Sequence, residues 1–202
     1  FLKPVITEYE NWTFISGYPD SLIFIFPEIN YKKVNFKAKD YIKYGEKMTT
    51  KGKQKQAAGI LLPLISSFKG RKFWYSFIPT IPLSNIFWQK RFGERFACLF
   101  TEEQCYADQK LYPLFNLRCD LVALLISLNS TIQRLIIEIE AKEYTGAYTL
   151  GELSVESVKR IPIIEPRIFS HPQDLSIVYN KKFDSIFTEL GFDPSKPIRE
   201  QE

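Results

Sequence analysis

Leu121-Val-Ala-Leu-Leu-Ile-Ser-Leu128, followed by Asn129-Ser-Thr-Ile-Gln133 and running on to Lys142, decides how this chain is read. Leu121, Leu124, Leu125 and Leu128 recur at helical spacing, which makes one helix face apolar. Asn129-Ser130 interrupts that face. Ser130-Thr-Ile-Gln133 has the spacing of a capping box, in which a Ser side chain satisfies the first free N–H groups of a helix, and predicts a second helix to about Lys142. Both helices should face a common core.

Outward from this pair the pattern is mixed. Residues 22–26, Leu-Ile-Phe-Ile-Phe, lie between Asp20-Ser21 and Pro27 and read as a short strand buried on both faces. Tyr41, Ile42, Tyr44 and Met48 fit a short helix ending near Thr49, and residues 51–56 a flexible or extended lysine loop. Residues 60–65 are apolar but broken by Pro63, leaving their type open. Residues 72–78 and 96–100 read as strands, and 161–164 as an edge strand, since Pro162 cannot donate to a central ladder. Leu175, Tyr179, Phe183, Ile186 and Leu190 recur every three or four residues, with Gly191 where a helix C-cap belongs, so 174–190 reads as an amphipathic helix. The expected fold class is α+β, a mixed sheet of short strands packed with helices plus a C-terminal amphipathic helix. The expected domains are 1–170 and a helical extension, 171–202.

Composition narrows the class. The chain has 202 residues, 45% hydrophobic and 25% charged, the usage of an ordinary globular protein. Its longest apolar runs fall short of the roughly 20 residues that cross a bilayer, so no membrane partner is expected. Cys98, Cys105 and Cys119 are odd in number and lack a Cys-x-x-Cys pair, arguing against a disulfide framework and a zinc site and for buried thiols in the cytoplasm. His171 is the single histidine. A Cys119–His171 dyad is formally possible but poorly supported. The chain opens Phe1-Leu-Lys-Pro without an initiator Met and is expected to be a segment of something longer. The net charge of +4 conceals an asymmetry, because residues 31–72 hold twelve Lys or Arg against Asp40 and Glu46. Such a stretch either neutralises phosphates or is a solvated lysine face.

The order of motifs resembles the target-recognition domain of adenine-N6 DNA methyltransferases of restriction-modification systems. Leu2-Lys-Pro-Val-Ile6 is similar to the entry of such domains, residues 22–27 to their Ile-Phe-Pro strand end, and Phe73-Trp-Tyr-Ser76 to their Trp-Tyr strand. Pro79-Thr-Ile-Pro82 through Arg91-Phe92 looks like their Pro-x-Ile segment with a following Arg. Tyr106 to Pro113 looks like their approach to the Leu-rich helix, and Val158-Lys-Arg-Ile-Pro-Ile-Ile-Glu-Pro166 like their closing segment. Two departures stand out: Ile126-Ser127 replaces the usual Asn-Ser, and Gly146-Ala147 replaces a double Gly.

The resemblance implies a DNA-reading module that binds double-stranded DNA. No Asn/Asp-Pro-Pro-Tyr/Phe loop, which in such enzymes holds a flipped adenine, and no Gly-x-Gly occurs, so no catalytic residue is assigned. Methyl transfer, with S-adenosylmethionine as its cofactor, would belong to a catalytic domain on the same or a separate chain. Lys47, Lys51, Lys53, Lys55, Lys69, Arg71 and Lys72 are the candidate phosphate contacts. Gln89, Lys90, Arg91 and Arg95 are the candidate base readers, because Gln pairs bidentately with adenine and Arg or Lys with guanine. Trp74, Tyr75, Tyr144 and Tyr148 are candidate stacking residues. The alternatives are a specificity subunit of a multi-subunit restriction system, a plain protein-interaction domain, and a Mg-dependent nuclease. For the last, Asp108-Gln-Lys110 and Glu140-Ala-Lys142 match the end of a nuclease site.

Overall fold

The structure, a computed structural model, describes residues 2–10, 12–33, 36–51, 58–93, 95–144, 150–169, 176, 179–182, 184–193 and 195. Its contacts divide the chain into two compact units, one of residues 1–3 and 23–80 and the other of residues 4–22 and 81–202. The division falls elsewhere than the boundary expected after residue 170.

The fold is α+β. A mixed five-stranded sheet has the order β2-β1-β7-β5-β8, where β1 is Leu2–Ile6, β2 Ser21–Phe24, β5 Ser84–Gln89, β7 Cys98–Ala107 and β8 Leu111–Leu114. β1 runs parallel to β7 through Val5↔Tyr106, whereas β5 is antiparallel to both β7 and β8. Ile86, Phe87, Trp88 and Gln89 are buried in succession, as a strand covered on both faces requires. β6 (Arg91–Phe92), β9 (Lys142–Tyr144) and β10 (Leu150–Glu152) form a second sheet, and β3 (Thr49–Lys51) pairs with β4 (Ala58–Leu61) in a third.

The paired helices form where expected. Asp120 Oδ1 accepts from Ala123 N at 2.9 Å and starts α3, Leu121–Leu128; Ser130 Oγ accepts from Gln133 N at 3.2 Å and starts α4, Thr131–Glu140. Leu124, Leu125, Leu128 and Ile137 join one core with β5 and β7. The box is only half used, because the Gln133 side chain donates to Pro162 O at 3.0 Å and accepts from Ile164 N at 3.2 Å. Asn129, at the break, accepts from Cys98 N at 2.8 Å and donates to Cys98 O and Leu125 O. Arg134 is 1% exposed; it pairs with Glu189 and donates to Asp184 O. Lys181 Nζ donates to Asn129 O at 2.7 Å. The elbow is therefore a polar hub inside an apolar core.

Four expectations are corrected. β2 is the edge strand of its sheet, with Leu22 63% exposed, and is not buried on both faces. Residues 72–78 form no strand: Ser76 N and Oγ both donate to Phe73 O, a local turn that displaces a ladder, and only Phe77 bridges to Phe26. Residues 161–164 are not a strand either, because Gln133 and the Ser127 hydroxyl take their backbone groups; α5, Val155–Arg160, precedes them with Ser154 as its cap. The C-terminal helix is not continuous over 174–190. Lys181 O accepts from Ile15 N, Lys182 bridges to Phe14, and Ser185 caps a new single-turn helix, α6, Ile186–Glu189. Gly191 does close it: its φ of 87° lets Gly191 N reach Thr188 O and Phe192 N reach Phe187 O, with the Phe187 and Phe192 rings 6.3 Å apart.

Two measurements check this account. Asn129→Ala strands the buried N–H and C=O of Cys98 and should cost about 2–4 kcal/mol in urea unfolding. Asp20 receives donors from Thr7 N, Thr7 Oγ1 and Glu8 N at 2.6–3.0 Å. Burial pushes its carboxyl up, but these bonds outweigh it and hold the group below the usual carboxylate range. A depressed folded-state pKa gives stability that is present above the unfolded value near ~3.9 and is lost as pH falls through the folded one. Asp20→Asn should cost about 1 kcal/mol at pH 7 and should flatten the acid limb of a stability–pH profile.

Candidate nucleic-acid interface

The unit containing residues 23–80 carries the net positive charge. With residues 1–3 it holds thirteen Lys or Arg against Glu28, Asp40 and Glu46, whereas the other unit is net negative by six. Its organising element is α1, Phe36–Lys47, which buries Ala38, Ile42 and Gly45 at spacings of four and three. That stripe is narrow. It packs in a small aromatic cluster with Phe26 and Tyr75, flanked by Phe24, Phe73 and Trp74. Gly45 is dictated by Trp74, since a Cβ there would lie 2.4 Å from the indole Cη2.

A narrow buried stripe leaves most of the helix outward. Lys39, Lys43 and Lys47, four residues apart, form one ridge, and Lys37 lies a turn before Tyr41 on the other flank. Among the described residues none of these four lysines forms an ion pair. Lys37, Lys39 and Lys43 were not among the candidates drawn from sequence. Their spacing of four was the available signal, but it becomes a ridge only once the helix is known to begin at Phe36.

The other phosphate candidates divide. Lys47, Lys69 and Lys72 are exposed, Lys69 in the four-residue α2, Ser66–Lys69. Arg71 is half-buried: its guanidinium lies 4.7 Å from the Phe68 ring centre and 5.4 Å from that of Phe77, and Nη1 donates to Ser76 O at 2.9 Å. Lys51 ends β3, with its side chain outside the described residues, as are Lys53 and Lys55 altogether.

The candidate base readers are not presented together. Gln89 is 4% exposed, and its Oε1 accepts from Ala97 N at 3.0 Å, so this side chain bridges strands inside the core. Lys90 and Arg91 both meet Glu152, at 3.8 and 3.0 Å, where β6 pairs with β10. Arg95 is exposed. A Trp-Gln-Lys-Arg string reads as surface, yet β5 is covered on both faces, and this turns Gln89 inward.

Among the stacking candidates, Tyr75 is buried and its hydroxyl donates to Ile29 O at 3.2 Å. Trp74 is half-buried, edge-on to Tyr75 at 5.9 Å. Tyr144 lies in β9 with its side chain outside the described residues, as are Tyr148 and His171 entirely. The nuclease-like triplets have other partners. Asp108 Oδ1 accepts from Lys110 N at 2.7 Å in the turn between β7 and β8, and Lys110 Nζ pairs with Glu10 at 2.6 Å; Glu140 ends α4 exposed. Cys98 and Cys105 are buried thiols, raised by that burial, and Cys119 is half-buried. Among the described residues no single helix is long and apolar enough to cross a membrane.

No protein-family model, curated protein or solved structure matches this chain.

Gln89→Ala should therefore act on folding. Loss of about 1–3 kcal/mol of stability is expected from the orphaned Ala97 N–H, with any duplex-DNA sequence preference unchanged in a binding-site selection. A changed base preference in a fully folded variant would restore Gln89 as a reader.

Proposed function

We propose that this segment is a duplex-DNA-binding module and that its phosphate contacts come from the unit of residues 23–80, chiefly the Lys39–Lys43–Lys47 ridge of α1. The observation that carries the reading is the concentration of unpaired lysines on one helix of a unit with thirteen basic and three acidic side chains. A field of that sign attracts a polyanion, and each neutralised phosphate releases counterions, so affinity falls steeply with salt. Phosphate contacts of this kind orient a protein on the duplex without reading its sequence.

Within that reading, the order of motifs supports a target-recognition role beside an adenine-N6 methyltransferase. Methyl transfer and S-adenosylmethionine are assigned to a catalytic domain outside these residues, because the chain contains neither a Pro-Pro-Tyr/Phe loop nor a Gly-x-Gly. Lys90, Arg91 and Arg95 remain the base-reading candidates once Gln89 is taken up by the core, and Lys90 and Arg91 must leave Glu152 to serve.

Charge reversal tests the assignment. Lys39→Glu, Lys43→Glu and Lys47→Glu together should abolish duplex binding at moderate salt and flatten the slope of log affinity against log salt by about 3. Fluorescence anisotropy of a labelled duplex over a salt series reads both. An unchanged slope in the folded triple variant removes α1 from the interface.

A further inference from the structure

The basic unit also contains a cavity, with the phosphate candidate Arg71 in its lining. It measures about 390 Å³, opens to solvent, and is lined by Ile23, Phe24, Tyr41, Phe68, Arg71 and Trp74, with Ile42, Leu62, Tyr75 and Phe77 completing the walls. That volume lies near the lower end of small-molecule sites. The walls are mostly aromatic rings, with Phe24 and Tyr41 at 4.6 Å and Phe68 and Trp74 at 6.3 Å.

The lining narrows the occupant. Flat aromatic walls favour a planar ring, whereas an acyl chain or branched side chain would leave the ring faces poorly covered. The lining has one cation, Arg71, and no carboxylate, which disfavours a cationic guest. Among the described residues Arg71 makes one hydrogen bond, to Ser76 O, and so keeps N–H groups for carbonyl or ring-nitrogen acceptors. The indole N–H of Trp74, in the same wall, is buried without a partner among the described residues, a donor that a bound acceptor can satisfy. Positive charge next to the lining residues in the chain completes the picture. Lys37 lies one helical turn before Tyr41, and Lys69 and Lys72 adjoin Phe68 and Arg71 in the chain, all three exposed.

We infer that this cavity binds a single unpaired nucleobase of a phosphodiester strand, the base entering between Tyr41 and Phe68 while Lys37, Lys69 and Lys72 hold the flanking phosphates. The inference rests on the proposed nucleic-acid binding but assigns a different ligand state, an unstacked base instead of an intact duplex. Stacking on aromatic side chains tolerates any base, so the site selects for unpairing and not for sequence.

The test uses the full chain and three otherwise identical probes: a fully paired duplex, a duplex with one unpaired 2-aminopurine bulge, and the same bulge with an abasic residue. The bulged base should raise affinity about tenfold over the abasic probe, and 2-aminopurine fluorescence should be quenched on binding. Tyr41→Ala and Phe68→Ala, neither side chain fully buried, should each remove that preference and the quench while leaving duplex affinity and its salt slope in place. Circular dichroism confirms that both variants are folded, and a strand of ribose in place of deoxyribose distinguishes RNA from DNA as the source of the base. Equal affinity for base-bearing and abasic bulges, or a preference surviving both substitutions, overturns the cavity assignment alone. Failure to bind any of the probes at low salt overturns the nucleic-acid reading with it.

Discussion

Asn129 holds the C-terminal unit together. Its side chain closes a two-way bridge to the backbone of Cys98, at the start of β7, and ties α3 through Leu125 O. The neighbours continue the pattern: Gln133 captures residues 162–164, while Arg134 and Lys181 fix the segment that ends in α6. Buried polar groups are costly when left alone and rigidifying when paired, so one elbow sets the positions of a central strand, a loop and the C-terminal segment.

That dependence explains what could be read in the sequence and what could not. α3 and α4 were legible because their signals are local, an apolar face and the capping residue Ser130. Gly191 was legible for the same reason, although the helix it closes is a single turn. Residues 161–164 carry strand-like composition, but Gln133 and Ser127, some thirty residues away in sequence, claim their backbone groups. Residues 72–78 look equally strand-like, and there Ser76 folds back on Phe73. Composition cannot report either outcome, since each depends on which partner the backbone finds.

The candidate site was legible to the same partial degree. The excess of lysine in residues 31–72 pointed to the basic unit, but the ridge on α1 emerges only from the narrow Ala38–Ile42–Gly45 stripe that orients the helix. Gln89 and Tyr75 were drawn inward by strand burial and by the aromatic cluster, and Lys90 and Arg91 toward Glu152. The lysines of α1, with Lys43 and Lys47 exposed and Lys39 half-buried, and the aromatic cavity beside Arg71 share one small unit, where Trp74 packs on Gly45 and Tyr41 faces Phe24. The proposed backbone-binding ridge and base-binding cavity, in so short a stretch, would be complementary chemistries for one polymer.

The central claim is that the basic unit is the surface that meets nucleic acid. Amide hydrogen exchange of the chain, measured with and without a saturating duplex at low salt, tests it most directly. New protection is expected to concentrate in residues 36–47 and 66–72. Protection confined to residues 84–95, or none anywhere despite demonstrated binding, would contradict it.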